Sequence, residues 1–201
     1  MKNKTTREEI LHVAYTCFKA KGFDEVSVDD ICRKAGITKP TFYKYIDSKE
    51  SILTSYYDEV CQDIYLHFSH IVQADTYYEQ FHLFYDMIID RSIELGPKLI
   101  AKMLDLNLSK DFNSFATRDQ LTKIVEVFID KGKKANEFQS SEDTKTLYDA
   151  CNFAFLGLEY KWAVKQGQLD WKQAFYQITD AILQAKPIYK GWDWIANDDD
   201  Y

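Results

Sequence analysis

Apolar residues recur every three or four positions through most of the chain, the spacing of helices buried along one face. Ile10, Ala14, Cys17 and Phe18 form one such stripe over about 6–21, and Val28, Ile31, Cys32 and Ala35 another over about 27–35. A short helix is predicted over about 38–45. Leu53, Tyr57, Val60, Ile64, Phe68 and Ile71 imply one long helix over about 48–73; Phe81, Phe84, Tyr85, Ile88 and Leu95 imply the next, over about 77–95. One or two shorter helices are expected over about 97–116, one over about 118–132, and two long ones over about 142–166 and 170–185. No segment alternates with the period of two that a half-buried strand shows, and there is no internal repeat.

Start and stop signals fall between these stripes. Thr6-x-x-Glu9, Ser27-x-x-Asp30, Asp47-x-x-Glu50, Thr76-x-x-Glu79 and Thr117-x-x-Gln120 each read as an N-cap with its partner at N3. Gly22, Gly36, Gly132 and Gly167 read as C-caps, and Gly96-Pro97 as a stop followed by a restart. The signals tile the chain without overlap. They predict an all-α protein of about nine helices.

Composition agrees and removes other classes. The 201 residues are 46% hydrophobic and 15% aromatic, ample for a packed core, and 3 Pro with 7 Gly are too few for an all-β fold with a turn every few residues. No apolar run approaches the ~18 residues of a membrane span. The start, MKNKTTREE, lacks the apolar region of a signal peptide. Cys17, Cys32, Cys61 and Cys151 are far apart with no CxxC pair, which fits buried thiols in a reducing cytoplasm.

The net charge of −7 opposes polyanion binding, but it averages two unlike parts. Arg33, Lys34, Lys39, Lys44 and Lys49 stand against Asp47 alone between residues 33 and 49, so this segment is +4 and the remainder −11. A local anion-binding surface on an otherwise acidic protein is implied. Residues 26–50 read VSVDDICRKAGITKPTFYKYIDSKE. Ser27 and Asp30 start a short helix that stops at Gly36. Thr38 caps a second helix, with Pro40 in its first turn, where a missing N–H is harmless. This is the helix-turn-helix layout. Phe42 and Ile46 would anchor the second helix, leaving Lys39, Thr41, Tyr43, Lys44 and Tyr45 with little core to face. Phenol, hydroxyl and ammonium groups suit phosphates and base edges. Lys49 falls in the first turn of the next helix, where the helix dipole disfavours a cation; a phosphate there would resolve the conflict.

GITKPTFYKYIDSKESIL, following VSVDDICRKA and a first helix ending FKAKGF, resembles the DNA-binding domain of the TetR/AcrR family of bacterial regulators over about residues 6–52. The resemblance implies a homodimer with an N-terminal three-helix reading head (1–47) and a helical ligand-binding and dimerisation domain (48–186), followed here by a tail (187–201). It places Ser27, Tyr43, Tyr45 and Lys49 on phosphates and Thr38, Lys39, Thr41 and Lys44 in the major groove. Lys44 occupies a position often held by an aromatic and can reach guanine or a phosphate. The implied function is that of a cytoplasmic repressor, not an enzyme, bound to a palindromic double-stranded operator. A small-molecule inducer of unknown identity would release it, with no cofactor, metal or membrane required.

The last two helices carry the dimer expectation. Leu147, Cys151, Phe155, Leu158 and Trp162 make one stripe, and Phe175, Ile178 and Ile182 another. They can serve as intrachain core or as an interface, and we expect them at the interface. Phe153, Leu156 and Tyr160 give the first of these helices a second apolar face, which a partner subunit would cover. A ligand pocket is expected among Phe68, Phe81, Tyr85, Phe112, Phe128 and Phe155. The rival reading is a metal-binding or enzymatic helical bundle using His67, His70, Glu79 and His82. A thiol switch at Cys61 or Cys151 lacks a neighbouring cation to lower its pKa. Trp192 and Trp194 are expected to pack on the body or on the partner.

Overall fold

The computed structural model describes residues 6–116 and 118–186. Among these the chain forms ten α-helices: α1 (Arg7–Lys21), α2 (Val28–Ala35), α3 (Lys39–Tyr45), α4 (Lys49–Thr54), α5 (Tyr56–Gln73), α6 (Tyr77–Leu95), α7 (Pro97–Ser109), α8 (Asp119–Lys134), α9 (Thr144–Val164) and α10 (Trp171–Leu183). The one extended pairing among the described residues is an isolated bridge between Phe138 and Ala185. Thr117, Trp192, Trp194 and the tail from residue 187 lie outside the described residues.

The caps explain the helix starts. Thr6 with Glu9, Ser27 with Asp30 and Thr76 with Glu79 form reciprocal pairs of hydrogen bonds. Gly22, Gly36 and Gly167 follow helices with positive φ, and Gly96 precedes Pro97 at the start of α7. Two signals resolve differently. The fourth cap is Ser48 paired with Ser51, one residue beyond Asp47. Gly132 is no C-cap: α8 continues past it to Lys134, and a Cβ there would lie 2.4 Å from the Phe138 ring. The glycine lets that ring rest on the helix backbone.

The single long helix expected over 48–73 is broken at Ser55, which separates α4 from α5. The hydroxyls of Ser51, Thr54 and Ser55 donate to the carbonyls of Ser48, Glu50 and Ser51. Such back-bonding bends helices. Ser55 itself sits at φ −92° and ψ 8°, where the α-helix is not continued.

The chain divides into two compact units, and the division does not follow the expected boundary after residue 47. In the first, residues 6–63 pack with 90–116 and 160–168. Ile10, Phe18, Ile31, Phe42, Ile52 and Leu53 are buried in its core. Lys102 of α7 pairs with Asp24 of the α1–α2 loop at 3.0 Å. The Ser114 hydroxyl donates to the Thr54 carbonyl at 2.8 Å, and the Asn107 amide donates to the Ser114 oxygen at 2.9 Å. The Tyr15 hydroxyl reaches the Ile52 carbonyl at 2.9 Å and the Glu59 carboxylate at 3.0 Å.

Among the described residues the second unit comprises 64–89, 118–159 and 169–186. Phe81, Tyr85, Phe155 and Phe175 form its aromatic centre, with Tyr85 and Phe175 centroids 4.6 Å apart. His82 lies buried between the Tyr78 and Tyr176 rings, each 4.2 Å away, and its nitrogens meet the Tyr78 carbonyl and the Thr179 hydroxyl. No helix among the described residues is long and apolar enough to cross a membrane.

Candidate nucleic-acid interface

α2 and α3 owe their arrangement to short-range chemistry. Gly36 takes the left-handed conformation at φ 66° and ψ 31°, ending α2. The Ile37 amide returns to the Cys32 carbonyl at 3.0 Å, closing the turn. The Thr38 oxygen accepts from the Thr41 amide and starts α3, while its hydroxyl shares a 2.9 Å bond with that of Thr41. Phe42 and Ile46 are buried, as their spacing predicts, and they fix which face of α3 turns outward.

That outward face presents Lys39, Tyr43 and Lys44, all exposed, with Thr41 and Tyr45 half-buried at its sides. The Lys44 ammonium stands 5.6 Å from the Tyr45 ring centroid. Lys39 pairs with Asp29 of α2 at 2.9 Å, and this hydrogen bond holds the lysine pKa above its ordinary value. Ser27 is exposed at the α2 N-terminus, but its hydroxyl also bonds the Asp30 carboxylate at 2.6 Å. Thr38, Lys39, Thr41, Tyr43, Lys44 and Tyr45 therefore share one short helix and its cap.

Lys49 is arranged differently. Its ammonium donates to the Phe23 carbonyl at 3.0 Å and lies 4.3 Å from the Phe23 ring centroid. The conflict with the α4 dipole is relieved inside the protein, by a carbonyl and an aromatic face. Asp29 was not legible as a site residue. It stands ten positions before Lys39, with no periodic relation to it, and only the turn at Gly36 brings the two together.

The other expected sites fare unevenly. Leu147, Cys151, Phe155, Leu158, Trp162 and Phe175 are buried within the single chain and need no partner to cover them. Ile178 is exposed and Ile182 half-buried. The second apolar face of α9 is largely open: Phe153 is 70% and Tyr160 59% exposed, with Val164 also exposed and Leu156 half-buried. Of the pocket aromatics, Phe81, Tyr85, Phe128 and Phe155 are core residues of the second unit and Phe68 is half-buried. Phe112 belongs to the first unit, in the segment after α7. That segment borders an open cleft of about 500 Å³ lined by Leu104, Asn107, Leu108, Asp111, Asn113, Phe115 and Ala116.

The metal reading is not supported. The Glu79 carboxylate accepts from the Thr76 amide in the α6 cap, and His82 is committed to Tyr78 and Thr179. His67 and His70 lie on the exposed side of α5. Among the described residues no group of three His, Cys, Asp or Glu is placed to hold a metal. Burial pushes the Cys151 thiol up to about 12, which suppresses its thiolate.

Comparison with known proteins shows what the chain is similar to. Residues 10–56 match the family described as bacterial regulatory proteins, tetR family. The HTH-type transcriptional regulator EthR of Mycolicibacterium smegmatis is 40% identical over 131 residues, which cover 65% of this chain and 51% of that protein. The chain thus spans about half the length of this curated relative. Among solved structures, FadR of Bacillus halodurans superposes with a TM-score of 0.62 at 16% identity, covering 91% of this chain and 97% of that one. Thermus thermophilus FadR, described as a TetR-family transcriptional repressor in complex with lauroyl-CoA, gives 0.63 at 15%, covering 89% and 93%. At such identities these structures show a shared fold. The segment 10–56, with its capped helix-turn-helix and cationic outer face, is thus similar to the DNA-binding domain of the tetR family, and the chain shares the fold of these solved structures.

Proposed function

We propose that this protein is a cytoplasmic, DNA-binding transcriptional repressor that works as a homodimer on a palindromic operator. The observation that carries the reading is α3 itself: a capped helix anchored by Phe42 and Ile46 that turns Lys39, Tyr43 and Lys44 outward. Two such helices about 34–36 Å apart would enter successive major grooves. Ser27, Tyr43 and Tyr45 take phosphates in this reading, and Thr38, Lys39, Thr41 and Lys44 face bases. Lys49 joins them only after leaving the Phe23 carbonyl. The exposed residues Phe153, Tyr160 and Val164 of the single helix α9 supply the surface for the second copy.

Release would follow occupation of the cleft beside α7 by a small molecule. Ser114, between the lining residues Asn113 and Phe115, holds the Thr54 carbonyl at the end of α4, so displacement there pulls on the helix that follows the reading head. The lauroyl-CoA of the Thermus neighbour makes a long-chain acyl-CoA the first ligand to try. Selection of bound duplexes from a random library, at stated salt, tests the reading. Enrichment of an inverted repeat is expected. Absence of any binding, even at low salt, would refute it.

A further inference from the structure

Two acids open α2, and they are used differently. The Asp30 carboxylate serves its own helix: one oxygen accepts from the Ser27 amide and hydroxyl, and the other pairs with Arg33 at 3.3 Å. Asp29 has no part in that cap. Its carboxylate lies 2.9 Å from the Lys39 ammonium at the first position of α3. The two side chains are 60% and 52% exposed. An ion pair so open to water contributes little to stability. Nor does it serve phosphate binding, because a carboxylate facing the backbone of DNA repels it. Tyr43, one turn beyond Lys39, is exposed on the same side of α3, so the pair stands where a base edge would be met.

An ammonium beside a carboxylate sets a strong donor next to a strong acceptor. Across the major groove a G·C pair offers two acceptors, guanine N7 and O6, and then the cytosine N4–H donor. An A·T pair offers acceptor, donor, acceptor and then a methyl group. Only the G·C order lets one ammonium meet two adjacent acceptors while the neighbouring carboxylate meets a donor. We infer that Asp29 and Lys39 together read one G·C base pair in each half-site, Lys39 donating to guanine and Asp29 accepting from cytosine N4. Their ion pair holds Lys39 in place at a helix N-terminus that would otherwise disfavour its charge. The inference rests on the DNA-binding reading above.

The test compares motifs selected from a random duplex library by the full-length wild type, Asp29→Ala, Asp29→Asn and Lys39→Ala. The wild type is expected to enrich a G·C pair at one symmetric position of each half-site. Asp29→Ala and Lys39→Ala lower the preference at that position roughly fivefold or more and leave the others intact. Asp29→Asn, nearly the same shape, shifts the cytosine toward adenine, which a side-chain amide recognises. Asp29→Ala also binds unrelated DNA at least as tightly at low salt, since a repelling charge has gone. A wild-type motif that the Asp29 variants keep at every position, or weaken uniformly, overturns the inference and leaves the DNA-binding reading standing. No motif for the wild type overturns both.

Discussion

Burial without a counter-ion lowers the His82 pKa to about 3, so its imidazole is neutral across the physiological range. The unfolded chain takes up a proton near pH 6.5 that the folded chain declines. The contribution of His82 to stability is therefore fully present above that pH and falls by about 1.4 kcal/mol per unit as the pH drops toward 3. Urea titrations between pH 7 and pH 4.5 should show this slope, and His82→Gln should flatten it. Gly132 is a second position where one side chain's neighbours decide. Gly132→Ala adds a methyl against Phe138, and the crowding outweighs the ordinary helix gain of alanine; a net loss of about 1–2 kcal/mol is expected from the urea midpoint. Neither property was legible in the sequence. Glycine near a helix end reads as a cap, and Glu79-x-x-His82 reads as a metal motif, until the Phe138 loop and α10 are seen against them. The outward face of α3 was legible because it is set by anchors, Phe42 and Ile46, only one turn apart.

Helix beginnings were set by local rules, and the sequence displays those rules openly. The break between α4 and α5 was not visible, because Leu53, Tyr57 and Val60 keep helical register straight through Ser55. What interrupts the helix is a ladder of hydroxyls turned back on carbonyls, and serine or threonine in a helix gives no sign of which way its hydroxyl points. The start expected at Asp47 falls instead at Ser48, whose partner Ser51 is not the acidic or amide residue that marks a capping box in sequence. Within α3, Thr38→Ala removes the cap that holds the Thr41 amide and should cost about 1 kcal/mol, with Thr38→Ser restoring it. At the other end of the proposed signal path, Ser114→Ala loses the bond to Thr54 and leaves one Asn107 amide N–H without its partner, the other staying on the Met103 carbonyl. It should cost about 1–3 kcal/mol in denaturant titration. In gel-shift assays the same variant should respond less to any ligand that releases the wild type.

Charge and apolar surface are properties of the whole chain that the sequence states and the structure locates. A protein of net charge −7 can meet DNA only along the edge where its cations gather. The apolar residues of α9 split into two sets: those nearest the expected stripe fill the chain's own core, and the second set stays open. Periodicity gives α9 two apolar faces but not which of them its own chain covers, and the stripe expected at the interface is the one buried within the chain. Replacing Phe153 and Tyr160 together by glutamate should leave helix content unchanged, give a monomer in sedimentation velocity, and weaken operator binding by at least tenfold through loss of the second reading head.

The thiols give this protein a built-in record of its own opening. Cys17 and Cys32 are buried in α1 and α2, Cys151 in α9, and Cys61 is half-buried in α5. Alkylation reaches a buried sulfur only when its surroundings part, so pulse labelling read site by site reports local unfolding in the reading head separately from that in α9. An operator duplex that slows modification of Cys17 and Cys32 while Cys151 keeps its rate would measure how far the grip of DNA is felt along the chain.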